Sequence, residues 1–241
     1  MIEIITRVRY PELYRKMQAS ATEMATGPIA FSASFDDGSP RLADSYNLLG
    51  AVAVGDVLLF AHDDVVFLSK GWDEKIKDAI AIGFNCVGVT GSKKYAGGMV
   101  FDAGREHSAG RICGLRDGKR IVRVMAHRSE IEPVMVLDGC FMAVEAGHFR
   151  ATGFDAQFDG LFFYDLDFCL RAKCAVADIL ISHEKPAHLW GKYPDGMRQL
   201  ADYEPAFNAK HGFASAPPIG DQRCDSLALE EYVAVGTGDR K

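Results

Sequence analysis

Between residues 1 and 90 the chain alternates short apolar runs with longer mixed segments. Ile2-Glu3-Ile4-Ile5-Thr6 reads as a strand, and Pro11 suits the first turn of a helix running to about Met24. Ala30 to Phe35 reads as a second strand, stopped by Asp36-Asp37-Gly38-Ser39-Pro40. A second helix is expected from Leu42 to Val54, with Gly55-Asp56 as its exit. Val57-Leu58-Leu59-Phe60 is too short for a helix and has strand-like residues at both ends, which predicts a buried strand. A third helix covers Gly71 to Ile82, and Cys86 to Thr90 is another strand. Strands alternating with single helices indicate βαβ units around a parallel sheet, with right-handed crossovers.

The pattern changes after Gly91. Arg111 to Leu115, Asp117-Gly118 and Arg120 to Val124 read as a hairpin with an Asp-Gly turn. Val134 to Leu137 is a strand, followed by Asp138-Gly139 and the apolar Phe141 to Val144. Asp165 to Lys173 reads as a helix, and Val176 to Ser182 as a strand ending at His183. No repeat and no Pro/Gly/Ser-rich linker interrupts the chain before Ala214. The expectation is one domain over 1–213, with a nucleotide-binding half at 1–90 and an acceptor half at 91–213. Residues 214–241, with Pro217-Pro218, form a C-terminal tail.

Composition narrows the classes. The 241 residues are 48% hydrophobic and 25% charged, ordinary for a globular protein. A formal net charge of −6 argues against nucleic acid as a partner, since that needs a basic footprint. No apolar stretch has transmembrane length and the N-terminus lacks a basic-then-apolar signal, so a cytoplasmic location is expected. The 6 cysteines form no CxxC pair and mostly sit in apolar runs, which suits reduced, buried thiols better than zinc.

The chemistry concentrates at strand ends. His62-Asp63-Asp64-Val65 follows the buried strand, and adjacent buried carboxylates are costly unless something pairs with them. In an open α/β sheet that edge binds ligands, and a hard divalent cation shared with a diphosphate would satisfy both acids. A solvated turn or helix cap is the alternative. Asp36-Asp37 ends a neighbouring strand and could line the same crevice. In Tyr164-Asp165-Leu166-Asp167 the two acids do not share a helix face. Asp167 suits an i,i+4 ion pair with Arg171, while Phe162, Phe163 and Tyr164 would wall Asp165 with apolar surface.

Five segments in order carry a resemblance: Asp36-Asp37-Gly38-Ser39, His62-Asp63-Asp64-Val65, Gly88 to Lys94, Asp138 to Ala143, and Phe158 to Asp167 with Arg171. From Asp36 to His183 the chain resembles a family-2-type glycosyltransferase, closest to the group associated with bacterial capsule and surface polysaccharides. His62-Asp63-Asp64-Val65 is similar to that group's His-x-Asp-Val variant of the DxD motif. The chain departs from the wider family at His62 (usually an acid), at Tyr164 (usually Glu), and after Thr6, where the Pro-Thr-Tyr-Asn signature is missing.

The resemblance implies an α/β fold of GT-A (Rossmann-like) type: a mostly parallel mixed sheet flanked by helices, with a small hairpin. It implies a divalent metal, Mn2+ or Mg2+, held by Asp64 with His183 and His62; His188 is a weaker substitute for His183. Thr6, Asp36, Asp37, Asp63 and Lys93 would contact a nucleotide-sugar donor, with UDP favoured. Asp138, Gly139 and Tyr164 would face a hydroxyl acceptor, a glycan or a lipid-linked sugar. Asp165 would be the general base of an inverting displacement. Contact with the inner face of the membrane and a homodimer are both compatible with the resemblance. A metal-dependent nucleotidyltransferase ranks second, because only Arg7 and Arg9 lie by the first strand and no glycine cluster is there to grip a triphosphate. A non-catalytic nucleotide- or sugar-binding module is the third reading, supported by Tyr164.

Overall fold

The computed structural model describes residues 1–36, 41–116, 119–184, 194–213 and 225–228. The expectations for Asp37, for the Asp117-Gly118 turn, for His188 and for most of the C-terminal tail lie outside the described residues. In chain order the elements are β1 (Ile2–Val8), α1 (Pro11–Met24), β2 (Ile29–Phe35), α2 (Leu42–Val52), β3 (Val57–Ala61), β4 (Val65–Phe67), α3 (Trp72–Ala81), β5 (Cys86–Gly88) and β6 (Thr90–Ser92). There follow β7 (Ser108–Arg116), β8 (Lys119–Val124), β9 (Ile131–Val134), β10 (Val136–Leu137), β11 (Phe141–Glu145), α4 (Ala146–Thr152), α5 (Tyr164–Cys169), β12 (Cys174–Ala177), β13 (Ile181–His183), α6 (Pro194–His211) and β14 (Asp225–Ala228).

The central sheet has the order β2-β1-β3-β11-β5-β12-β9. β1 runs parallel to β2 and β3, and β5 parallel to β12. β11 enters between β3 and β5 and is antiparallel to both. The alternation of a buried strand sorts its side chains to two cores. Leu58 and Phe60 of β3 join a core with Tyr46 of α2, Phe149 of α4 and Phe207 of α6. Val57, Leu59 and Ala61 join the other, with Met17 and Ala21 of α1 and Trp72, Ile76 and Ala79 of α3. The i,i+4 and i,i+7 spacing of those helical residues is what aims one stripe of each helix at the sheet.

A second sheet, β10-β6-β7-β13-β4, stands beside the first, and β8 extends it from β7. The expected hairpin is present as the antiparallel pair β7 and β8. β14, from the expected tail, pairs antiparallel with β8.

Four expected elements differ. The run from Cys86 to Thr90 divides at Val89 into β5 of the central sheet and β6 of the second. The run from Val176 to His183 is two strands, because the chain turns tightly at Asp178, where the Ile179 N–H donates to the Ala177 carbonyl at 2.7 Å. The carboxylate of Asp178 there meets Arg111 at 2.7 Å, and the chain crosses to the second sheet. The stretch from Val134 to Leu137 likewise divides at Met135, whose N–H donates to the Ser92 carbonyl of the second sheet. The helix expected to reach Lys173 ends at Cys169, since Arg171 and Ala172 close i−3 turns and Cys174 pairs with Cys86 in the central sheet.

Candidate active site

β3 carries its apolar residues to the sheet edge and leaves it at His62-Asp63-Asp64, a tight turn closed by the Val65 N–H on the His62 carbonyl at 3.3 Å. β4 then pairs antiparallel with β13, which sets His183 opposite Val65. The Glu184 N–H donates to the Asp64 carbonyl at 2.8 Å, fixing the two segments side by side. As a result His183 Nε2 lies 2.9 Å from Asp64 Oδ1. The His62 and His183 rings are 5.6 Å apart. Ligand atoms of His62, Asp64 and His183 all lie within 4.8 Å of one another. Burial pushes the Asp64 carboxyl up, but the hydrogen bond and charge of His183 and the charge of His62 outweigh it and hold the group below its ordinary range.

Two imidazoles and one carboxylate converging on one point form a donor set that suits a first-row divalent ion. The structure brings together the three residues that the resemblance offers as a metal-binding trio. Glu184 next door is buried and binds Lys16 of α1 and, at 2.6 Å, Arg120 of β8, so two elements brace the loop after β13.

The second cluster forms where β11 begins. The Asp138 N–H donates to the Thr90 carbonyl, and Asp138 Oδ1 accepts the Cys140 N–H at 3.0 Å. The Gly139 N–H donates to Asp165 Oδ2 at 2.9 Å, and Asp165 Oδ1 accepts the Leu166 N–H at 2.8 Å. A Cβ on Gly139 would stand 2.4 Å from the Tyr164 hydroxyl and 2.7 Å from Asp165 Oδ2, so only glycine fits there. Asp165 is pushed up to about 7 by burial first and by the charge of Asp138 second, against the pull of its two backbone N–H donors. Cys140 joins the clusters: its carbonyl accepts the His62 N–H at 3.1 Å, and its buried thiol feels Asp138, Asp64 and Asp165 together.

Several expected contacts take another form. Tyr164 does not face the crevice: it is 1% exposed, stacks among Tyr46 and Phe154, and donates its hydroxyl to the Gly139 carbonyl at 3.0 Å. It braces Gly139 from within the core, and both polar backbone groups of Gly139 are thereby engaged. Asp63 Oδ2 accepts the Arg9 and Tyr10 N–H groups at 2.7 and 2.6 Å, tying the segment between β1 and α1 to the strand end. Asp36 sits at the end of β2 and accepts from Arg7 at 2.8 Å. Thr6 is fully buried within β1. Lys93 lies beyond β6, and its ammonium pairs with Glu132 on the edge strand β9 at 2.7 Å, so the structure does not bring it to either cluster.

Asp167 has the expected pair with Arg171, at 2.7 Å. Its other oxygen meets Lys210 Nζ at 2.5 Å and His211 Nε2 at 2.8 Å, contacts from α6 that sequence reasoning missed. The separation of more than forty residues carries no local signal; only the basic end of the α6 segment hinted at an anionic partner.

Known structures share this architecture. GalNAc-T7 with UDP, GalNAc and Mn2+ superposes with a TM-score of 0.57 at 11% identity, over 92% of this chain and 52% of that one. The mannosyltransferase PcManGT from Pyrobaculum calidifontis, in complex with GDP-Man and Mn2+, gives 0.52 at 10% identity, over 90% and 66%. The chain thus spans about half of the first and about two thirds of the second. Both are GT-A glycosyltransferases, and the expected fold class is the observed one. No curated protein matches the chain. The model of a glycosyltransferase-like family matches residues 4–211, a span holding both clusters, and the chain belongs to that family.

Proposed function

We propose that this protein transfers a sugar from a nucleotide-sugar donor to a hydroxyl acceptor with inversion at the anomeric carbon, assisted by a divalent metal. The observation that carries the reading is the convergence of His62, Asp64 and His183 at the end of β3. A divalent cation held there, Mn2+ or Mg2+, would neutralise charge on the leaving diphosphate. The Asp36–Arg7 pair and the loop that Asp63 holds would form the nucleoside side, with UDP favoured as the nucleotide. Asp165 would accept the proton of the acceptor hydroxyl as that oxygen bonds to the anomeric carbon and the carbon–phosphate oxygen bond breaks. A carboxyl titrating at about 7 is matched to that task at neutral pH.

Residues 1–213 are proposed to act as one catalytic unit, with surface polysaccharide or its lipid-linked precursors as the acceptor class. The described residues contain no helix long and apolar enough to cross a membrane. Calorimetry with UDP, with and without Mn2+, tests the reading. Binding should be metal-enhanced in the parent and lose that enhancement in Asp64→Ala. Unchanged affinity and metal dependence in the variant would remove the trio from the site. A panel of UDP- and GDP-sugars, read by nucleoside diphosphate release, identifies the donor.

A further inference from the structure

We infer that the last two turns of α6 position Asp165, with Phe207, Lys210 and His211 holding the backbone on either side of it. This rests on the reading of Asp165 as the base. α5 is one helical turn and a half, too short to hold its own orientation. It opens at Phe163, the only non-glycine residue with positive φ among the described residues, at 70°. That conformation is unfavourable for an L-residue and persists only where surrounding structure enforces it.

Phe207 supplies the enforcement. It is fully buried, and its ring lies 4.7 Å from Phe163, 5.6 Å from Phe158 and 5.6 Å from Tyr95. Two residues beyond Asp165, the buried carboxylate of Asp167 gives one oxygen to Arg171 and the other to Lys210 and His211. Arg171 belongs to the same local segment and reaches only the carbonyls of Thr152 and Gly153 beyond it. Lys210 also binds Asp155 at 2.6 Å, so α6 ties Asp167 to the segment that follows α4. Asp165 sits between these anchors, and its bond to the Gly139 N–H depends on both. The titratable groups that face it are Asp138, Tyr164, Tyr95, Cys140 and Cys169, none of them on α6. The α6 residues therefore act through placement.

The test uses Lys210→Met, His211→Gln and Phe207→Leu in the full chain. The Asp165 carboxyl is followed by carbon NMR titration, UDP affinity with Mn2+ by calorimetry, and turnover on the nucleotide-sugar panel. A loosened turn admits water, so the Asp165 midpoint should fall by about one unit from about 7. Turnover should drop roughly tenfold or more while UDP affinity stays within about twofold, and Lys210→Arg should restore both. Folded variants that keep the parent titration and turnover would overturn the inference, as would UDP affinity falling in step with turnover. If Phe207→Leu does not fold, the two polar variants and Asp155→Asn decide. The titration needs no donor and decides alone if no sugar of the panel is turned over. Asp165→Asn with full turnover would instead refute the base assignment; Asp165→Asn impaired beside unimpaired α6 variants would refute only the positioning.

Discussion

Asp73 and Asp165 occupy the same place in two helices and behave in opposite ways. Each is the second residue of its helix, and each helix is preceded by a residue at φ 70°, Gly71 before α3 and Phe163 before α5. Asp73 is fully buried, yet its carboxylate accepts the Thr26 and Gly27 N–H groups at 2.9 and 3.0 Å and pairs with Lys77 at 3.0 Å. Burial pushes it up, but those partners outweigh burial and bring it to about 2. Asp165 receives two backbone N–H donors as well, but burial first and the charge of Asp138 second take it up to about 7. Helix position and backbone donors are shared; the two acids part because burial at Asp165 is reinforced by a second carboxylate, whereas burial at Asp73 is outweighed by a cation and a hydroxyl. The residue that makes the turn differs in kind too. Glycine adopts it freely at Gly71, whereas Phe163 must be held.

Four measurements would break or sharpen that contrast. The largest effect should be on Asp165→Asn, with turnover lower by about 10²–10⁴-fold and UDP affinity retained, while Asp73→Asn keeps turnover per folded molecule. Equal losses in both would end the distinction. Next, Asp73→Ala should lose roughly 2 kcal/mol in urea denaturation, because the Thr26 and Gly27 N–H groups and Lys77 lose their buried acceptor. A loss near zero would mean the network is redundant.

The pH dependences should have opposite signs. The folded value of Asp73 lies below the unfolded value near 3.9, so its stabilisation is present above about pH 4 and is lost as pH falls through about 2. Asp165 titrates at about 7 in the fold, above its unfolded value, so the fold loses stability as pH rises from about 4 to about 7. Melting curves should therefore show the parent falling behind Asp165→Asn across that window, and parent turnover should climb through an acid limb near pH 7. A gap that stays constant with pH would contradict the raised value. The smallest effect is expected for Tyr164→Phe, about 1 kcal/mol of stability and turnover within a few-fold, since its hydroxyl serves the Gly139 carbonyl. A large rise in KM there would return Tyr164 to the substrate surface.

The sequence was most legible where one local pattern decides one element. Pro11 opens α1, and the apolar run at Val57 is a buried strand with Asp64 at its end. The resemblance groups His62, Asp64 and His183, and the fold brings them together. Legibility failed where a distant partner overrules the local pattern. Asp178 is an interruption in an apolar run until Arg111 is seen beside it, and Tyr164 reads as a pocket wall until Tyr46 and Phe154 close over it. The resemblance offers Lys93 as a donor contact, and its pair with Glu132, thirty-nine residues away, is invisible to spacing. The roles of Lys210 and His211 required the path of α6 back to α5.

The reversed direction of β11 has a consequence for how such a site can diversify. An antiparallel strand starts at the edge where its parallel neighbours finish, so Asp138 and Gly139 precede their strand while His62 and Asp64 follow theirs. The two halves of the crevice are therefore written into separate connecting segments that share one scaffold. Residues ahead of Phe141, Gly139 aside, can be exchanged without altering the register of β3 against β1. One rim of the crevice can drift while the other stays in place, so a single sheet can serve a changing set of customers.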